Sequence, residues 1–340
     1  MALASALGAS IGLGVESTYG TAVAPTNHWE ARSVDLDPGI EFVESEGIRS
    51  GSRVMRADRF AVGKKAPELQ SEFDVLTNAF ARMLVHMTGE SRAAASYKST
   101  VSTGVYLYTL QPMTGDPNSL ASLTFQAGAP DRSGTVRRMD LSGAVISEWT
   151  LSNEVDGILS ASITAPGRDL VPSASAITSV SYPSSTNLFY WTQGAVTVDG
   201  TAAEVKSVNI EYSHGFDLER FFIGSGLRAK PIPAEMATCQ ITVETEFGAL
   251  PGTWASSDMV SKFRAGTVIA FDATWTGSTA IASTNYPYVQ VTAPACRIAE
   301  AVPSFSGGEI IGQTLTLDVV APTDGSEPLT VKYQSSESLS

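Results

Sequence analysis

The sequence has little of what chemistry usually requires. Its 340 residues hold only two cysteines and three histidines. Cys239 and Cys296 lie far apart with no metal-ligand spacing, so both read as buried small apolar residues. His28, His86 and His214 have no HExxH, Gly-x-Ser-x-Gly or paired-cysteine signature near them. Gly12-Leu13-Gly14 lacks the third glycine and the preceding strand of a dinucleotide loop. Asp35, Asp37 and Glu46 fall at positions 1, 3 and 12 of a calcium loop, yet position 6, where that loop needs glycine, is Ile40. No catalytic residue, cofactor or metal is expected. No run approaches the ~18 consecutive apolar residues of a membrane-spanning helix. No basic region precedes the Ala/Leu/Ser run at the N-terminus. The expectation is a chain with no membrane span and no export signal.

Positive charge is also scarce. Lys and Arg total 22 against 35 Asp and Glu, for a net charge of −13. Such a surface repels phosphate backbones, which argues against nucleic-acid binding by counterion release. What the chain does have is 29 glycines, 17 prolines and many Ser, Thr and Val. That composition favours short strands joined by turns, so the fold is expected to be all-β with one or two short flanking helices. The length suits two domains or one large β architecture.

Small and turn-prone residues fill the first part of the chain, and residues 1–26 read as an N-terminal arm. From Trp29 the pattern has period two and ends at an Asp37-Pro38-Gly39 turn. Residues 40–66 then read as a long loop. Its second part, 49–65, carries Arg49, Arg53, Arg56, Arg59, Lys64 and Lys65 against Asp58, a local reversal of sign that suits an acidic neighbour or simply solvent. Phe73, Leu76, Phe80, Met83, Leu84 and Met87 recur at helical spacing, which predicts a helix over 73–88 ended by Gly89. Residues 90–104 read as a connection. Strands follow at 105–110, 120–127, 136–147, 150–153 and 158–165, and 166–190 reads as a crossing between domains. In 239–247, Cys239, Ile241, Val243, Thr245 and Phe247 alternate with Gln240, Thr242, Glu244 and Glu246, giving one packed face and one acidic face. A short helix at 256–265, capped by Ser256 or Ser257 and ended by Gly266, precedes strands at 268–275, 288–292, 296–299 and 313–320. A polar tail begins at Ser335.

The two halves resemble each other. Ser33-Val34-Asp35-Leu36-Asp37 parallels Ser207-Val208-Asn209-Ile210-Glu211. A loop with a Gly-aliphatic-Arg step follows each, Gly47-Ile48-Arg49 and Gly226-Leu227-Arg228. A basic and Pro-containing segment comes next, at 64–67 and 230–233. Two tandem related β units are expected, at 27–200 and 201–340.

The segment Gly14-Val15-Glu16-Ser17-Thr18-Tyr19-Gly20-Thr21-Ala22-Val23-Ala24-Pro25 resembles the opening of one branch of the tail tube (major tail) proteins of long-tailed bacteriophages. The likeness continues through 44–53, the helical segment and the 119–124 strand. It implies a structural virion protein with a β-barrel or sandwich fold, assembled in the host cytoplasm. Its rings would share a continuous barrel of inner strands and stack through loops and arms around a tape-measure protein, with tail terminator and tail-tip proteins at the ends. The finished lumen would pass double-stranded DNA without reading its sequence. Rings of this family are typically hexameric; with two units per chain, three chains are favoured here and six are the alternative. Under this reading Tyr19, Arg49, Arg53, Arg56, Arg59, Lys64 and Lys65 serve contacts between rings. Glu68, Glu72 (or Asp74), Glu244 and Glu246 face the lumen, unless that polar face looks outward to bulk solvent. The rival is a β-sandwich binding or adhesion module, with a sugar-stacking platform drawn from Trp29, Trp149, Trp191, Trp254 and Trp275.

Overall fold

The computed structural model describes residues 8–47, 51, 54–90, 94–113, 120–173, 180–184, 186–248, 250, 258–304 and 311–339. The chain begins with β1 (Ser10–Val15), β2 (Asn27–Trp29) and β3 (Ala31–Asp37). A hairpin of β4 (Ile40–Glu44) and β5 (Phe60–Lys65) precedes β6 (Glu68–Asp74) and the helix α1 (Ala81–Met87). The helix α2 (Ala94–Tyr97) leads to β7 (Lys98–Ser102) and β8 (Val105–Leu110). Next come β9 (Leu123–Pro130), β10 (Val136–Ala144), β11 (Glu148–Glu154), β12 (Ser160–Pro166) and β13 (Asp169–Ser173). The chain restarts with β14 (Gly194–Val198), β15 (Thr201–Ala203) and β16 (Ser207–Ser213), followed by the short pair β17 (Phe216–Asp217) and β18 (Ile232–Pro233). Then follow β19 (Thr238–Glu246), the helix α3 (Met259–Ala265), β20 (Val268–Thr276) and the long β21 (Tyr288–Glu300). The last strands are β22 (Pro303–Ser304), β23 (Gly312–Val319) and β24 (Thr330–Ser335). The fold is all-β, as composition indicates, and its sheets are antiparallel.

Strand order repeats along the chain. One sheet runs β13-β10-β9-β1-β2, and the same order recurs as β24-β21-β20-β14-β15. The path β3-β6-β12-β11 is followed, within one sheet, by β16-β19-β23-β21. Register repeats too. Phe125 faces Leu141 and Leu123 faces Ala144 across a bulge; Phe271 faces Ala293 and Ile269 faces Cys296 across another. Arg32 pairs with Asp74 at 2.7 Å, and Lys206 with Glu246 at 3.0 Å, in matching places. The second set of strands starts at Gly194, ahead of the expected boundary at 201. The first set carries an insertion, α2-β7-β8, whose β8 pairs with β24 of the second.

Several segments differ from expectation for local reasons. Residues 10–15 do not form an arm: Ile11 and Leu13 are buried and β1 sits between β2 and β9. The 40–66 segment is a hairpin, since Phe42 pairs with Val62 and Glu44 with Phe60. The helix is shorter than 73–88, because Phe73 lies on β6 and Ala79 takes φ +78, a break no helix interior tolerates. Its N-terminus is capped from the far end of the chain, where Glu337 accepts the Ala81 N–H at 2.9 Å. The C-terminal stretch is therefore docked, not a free polar tail. Tyr333 of β24 is fully buried and donates to the Leu76 carbonyl at 2.9 Å. The 90–104 connection contains α2 and β7, which pairs with β8. The second helix begins at Met259 with Asp258 as its cap, accepting from the Ser261 N–H at 2.5 Å; Ser256 and Ser257 lie outside the described residues. Gly266 closes it in the left-handed conformation.

One hydrophobic cluster extends from Ile11 to Tyr333. Cys239 and Cys296 are in it, and burial pushes the Cys296 thiol up to about 12. His214 is also internal, with its Nε2 2.9 Å from the Met87 carbonyl, edge-on to Tyr212 and stacked on Phe216. Burial pushes both His86 and His214 down from 6.5 to about 4, with Arg82 adding to the effect at His86. Between pH 6.5 and 4 the unfolded chain therefore takes up protons that the folded chain refuses. Stability should fall on acidification through that window, by about 1.4 kcal/mol per pH unit for each histidine, and level off for these groups below it. Unfolding midpoints across pH 4–7 for wild type and His214→Phe check this: the variant should show a shallower dependence, and an unchanged one would refute the assignment.

Candidate assembly surfaces

The path from β3 to β23 has a packed face and a polar face. Leu69, Phe73, Ile163, Trp149, Leu151, Val208, Ile210, Ile241, Val243, Leu315 and Leu317 point into the core. The other face can be read strand to strand from the register. Ser33 lies opposite Glu72, Glu72 opposite Ser162, Ser162 opposite Thr150, Thr150 opposite Glu211, Glu211 opposite Gln240 and Gln240 opposite Asp318. Neighbouring rows carry Asp35, Asp37, Glu68, Glu148, Glu154 and Glu244. All four glutamates singled out for the lumen thus share one face of one sheet, although they come from strands far apart in sequence. Arg32 bridges Glu72 and Asp74 at 3.1 and 2.7 Å, Lys206 holds Glu246 at 3.0 Å and Arg297 holds Asp318 at 2.5 Å. Glu68, Glu148, Glu211 and Glu244 make no salt bridge within 4.0 Å among the described residues. The face is net acidic.

The β4–β5 hairpin presents a different chemistry from the basic patch the sequence suggests. Arg56 makes two 2.8 Å bonds to Asp58, and Lys64 reaches Glu41 at 3.2 Å and Glu219 at 2.9 Å. Lys65 reaches Asp169 at 3.3 Å, and Arg59 lies 4.0 Å from Asp58. Arg49 and Arg53 lie outside the described residues. The basic groups that are described are largely engaged within the chain. Beside these exposed ion pairs the hairpin also leaves apolar side chains in solvent: Phe42, Val43, Val54, Met55, Phe60 and Val62. The loop between β16 and β19 lies alongside, with the Lys65 N–H bonded to the Gly226 carbonyl at 2.8 Å, and it exposes Phe222, Ile223 and Met236. The two loops that follow equivalent strands therefore meet side by side.

The Gly14–Pro25 segment is a folded turn between β1 and β2, inserted where the second set has only the tight Asp199-Gly200 turn. Glu16 is buried and accepts from the Thr124 hydroxyl, the Gly143 N–H and the Gly20 N–H, each at 2.8 Å. Tyr19 packs on Arg168 and donates to the Arg228 carbonyl at 3.2 Å, and burial pushes its hydroxyl up to about 12. It is part of the fold's own packing.

Compared with known families, the sequence matches the family model described as phage tail tube protein over residues 6–319. The chain belongs to that family. No curated protein matches it. Membership makes this tail tube protein a structural component of the virion tail, one that assembles with other tail proteins into an oligomeric tube. Its tryptophans fit that role better than sugar binding. Trp149 and Trp275 are buried, Trp29 packs edge-on to Phe73 and Phe125, Trp254 lies outside the described residues, and Trp191 alone of the described tryptophans is exposed. No group of three or more His, Cys, Asp and Glu among the described residues is placed to hold a metal. No described helix is long and apolar enough to cross a membrane.

Proposed function

We propose that the two sets of strands are copies of one tube unit, and that three chains close into a ring with six such units around a DNA-conducting lumen. The observation that carries this reading is the single continuous acidic sheet face, built from two runs of strands in the same order. A sheet that already joins two units side by side needs only repetition to close. With that face inward, Glu68, Glu72, Glu148, Glu211, Glu244 and Glu246 repel passing phosphates, so the duplex slides without sticking. The exposed apolar hairpins stack one ring on the next. The lumen holds a tape-measure protein until ejection, terminator and tip proteins bound the tube, and assembly takes place in the host cytoplasm before the virion is complete.

Negative-stain microscopy of the purified protein tests this. Rings or hollow tubes are expected at high protein concentration. A strictly monodisperse monomer under all salt conditions would overturn the reading.

A further inference from the structure

The chain contains one junction between its two units, and the unpaired strands at the ends of the path match the strands that form it. Within the chain, β11 of the first set pairs with β16 of the second: Thr150 faces Glu211, Leu151 faces Ile210 and Ser152 faces Asn209. The counterpart of β16 in the first set is β3, because Ser33 faces Glu72 as Ser207 faces Glu244. The counterpart of β11 in the second set is the segment 300–304. Glu148 faces Thr164, Leu151 faces Ala161 and Ser152 faces Ser160; Glu300 faces Thr316, Pro303 faces Gln313 and Ser304 faces Gly312. Among the described residues, β3 has no strand on its outer side and β22 pairs only with β23.

Burial identifies what is missing. Val208 is 3% exposed on β16, while its counterpart Val34 is 39% exposed on β3. Ile210 is fully buried, while its counterpart Leu36 is only partly so. Val302, the counterpart of Thr150, is 56% exposed. Pro303 offers no N–H, so any ladder bond it makes across this edge uses its carbonyl alone.

We propose that, in the ring inferred above, the edge at 300–304 of one copy pairs antiparallel with β3 of the next copy in the register of β11 and β16. This places Val302 opposite Asp37, Pro303 opposite Leu36 and Ser304 opposite Asp35. The acidic face then continues across the junction, and Val34 and Leu36 gain the cover that Val208 and Ile210 already have. The inference rests on the ring reading, but it fixes which strands meet and by how many residues they are offset.

Cysteine cross-linking tests it. Asp37→Cys/Val302→Cys, oxidised after assembly, should give covalent species that end at a closed set of chains and vanish on reduction. Ser33→Cys/Val302→Cys places the first cysteine on the same face but about 13 Å further along the strand, and it should give little product. Thr150→Cys/Glu211→Cys, the matching pair inside the chain, should cross-link without any rise in mass and shows that the geometry admits a disulfide. Val34→Lys should leave the unfolding midpoint of the single chain nearly unchanged and abolish ring closure. Rings seen by microscopy together with cross-linking only at Ser33→Cys, or at neither position, or rings that persist in Val34→Lys, would overturn the register and leave the ring reading standing. Failure of the wild type to form rings would overturn both.

Discussion

Replacing Glu16 by alanine is expected to lower the stability of the folded chain by about 3–5 kcal/mol, among the largest losses available at one side chain. The carboxylate ties the turn at Gly20 to two neighbouring strands, through the β9 hydroxyl of Thr124 and the bulge in β10 at Gly143. Gly143 sits at φ +64, and a Cβ there would lie 2.7 Å from the Arg168 side chain and 3.1 Å from the Tyr19 ring. The bulge thus brings its N–H to the carboxylate in a conformation that a larger residue could not share. Alanine leaves that N–H and the fully buried Thr124 hydroxyl short of an acceptor at roughly 1–3 kcal/mol each. Glu16→Gln keeps one acceptor oxygen and should lose roughly half as much. Equilibrium denaturation and thermal unfolding check both. Glu244→Ala, on the exposed face, should stay within about 0.5 kcal/mol of wild type. A loss below about 1 kcal/mol for Glu16→Ala would mean that the turn is held by other contacts.

Phe42→Ser/Phe60→Ser is expected to abolish tubes while leaving rings. The two rings meet edge to face at 5.8 Å across the β4–β5 hairpin, and each is about half exposed in the single chain. Removing them should therefore cost the isolated subunit only about 1 kcal/mol. In a stack that covers the half still exposed, each contributes about 1 kcal/mol, and every subunit of every ring interface loses both. By contrast, Arg56→Ala and Arg59→Ala remove exposed pairs to Asp58 worth about 0–1 kcal/mol and should barely shorten the tubes. Tubes of wild-type length from the Phe42/Phe60 variant, or loss of tubes from the arginine variants alone, would return the stacking role to charge.

Period-two alternation made most of the sheet legible in the sequence. It located β8 at its observed bounds and β19 to within a residue, and it set Glu68, Glu72, Glu244 and Glu246 on polar faces. That these faces are one face was not legible, since it depends on pairings between strands distant in sequence, Glu72 with Ser162 in the first run and Thr150 with Glu211 at its junction with the second. Gly12 and Gly14 suggested a flexible arm for a reason that proved to be packing. A Cβ on Gly12 would lie 2.7 Å from Pro25, and one on Gly14 would lie 2.8 Å from the Ala24 carbonyl, so glycine lets the return strand approach β1 closely. The basic character of the 49–65 segment was plain, but the partner of Lys64, Glu219, lies 155 residues away. The likeness of the two runs of strands showed at β3 and β16 and in the loops that follow them but no further, because the first run carries the Gly14–Pro25 turn and the β7–β8 hairpin, which have no counterpart among the described residues of the second.

The number of chains in one ring, read from a cryo-microscopy map of the assembled tube, tests the central claim most directly. Three chains presenting six equivalent sheet units to the lumen, with their acidic faces inward, is the result this account predicts. Six whole chains per ring, or a lumen lined by any other surface, would contradict it.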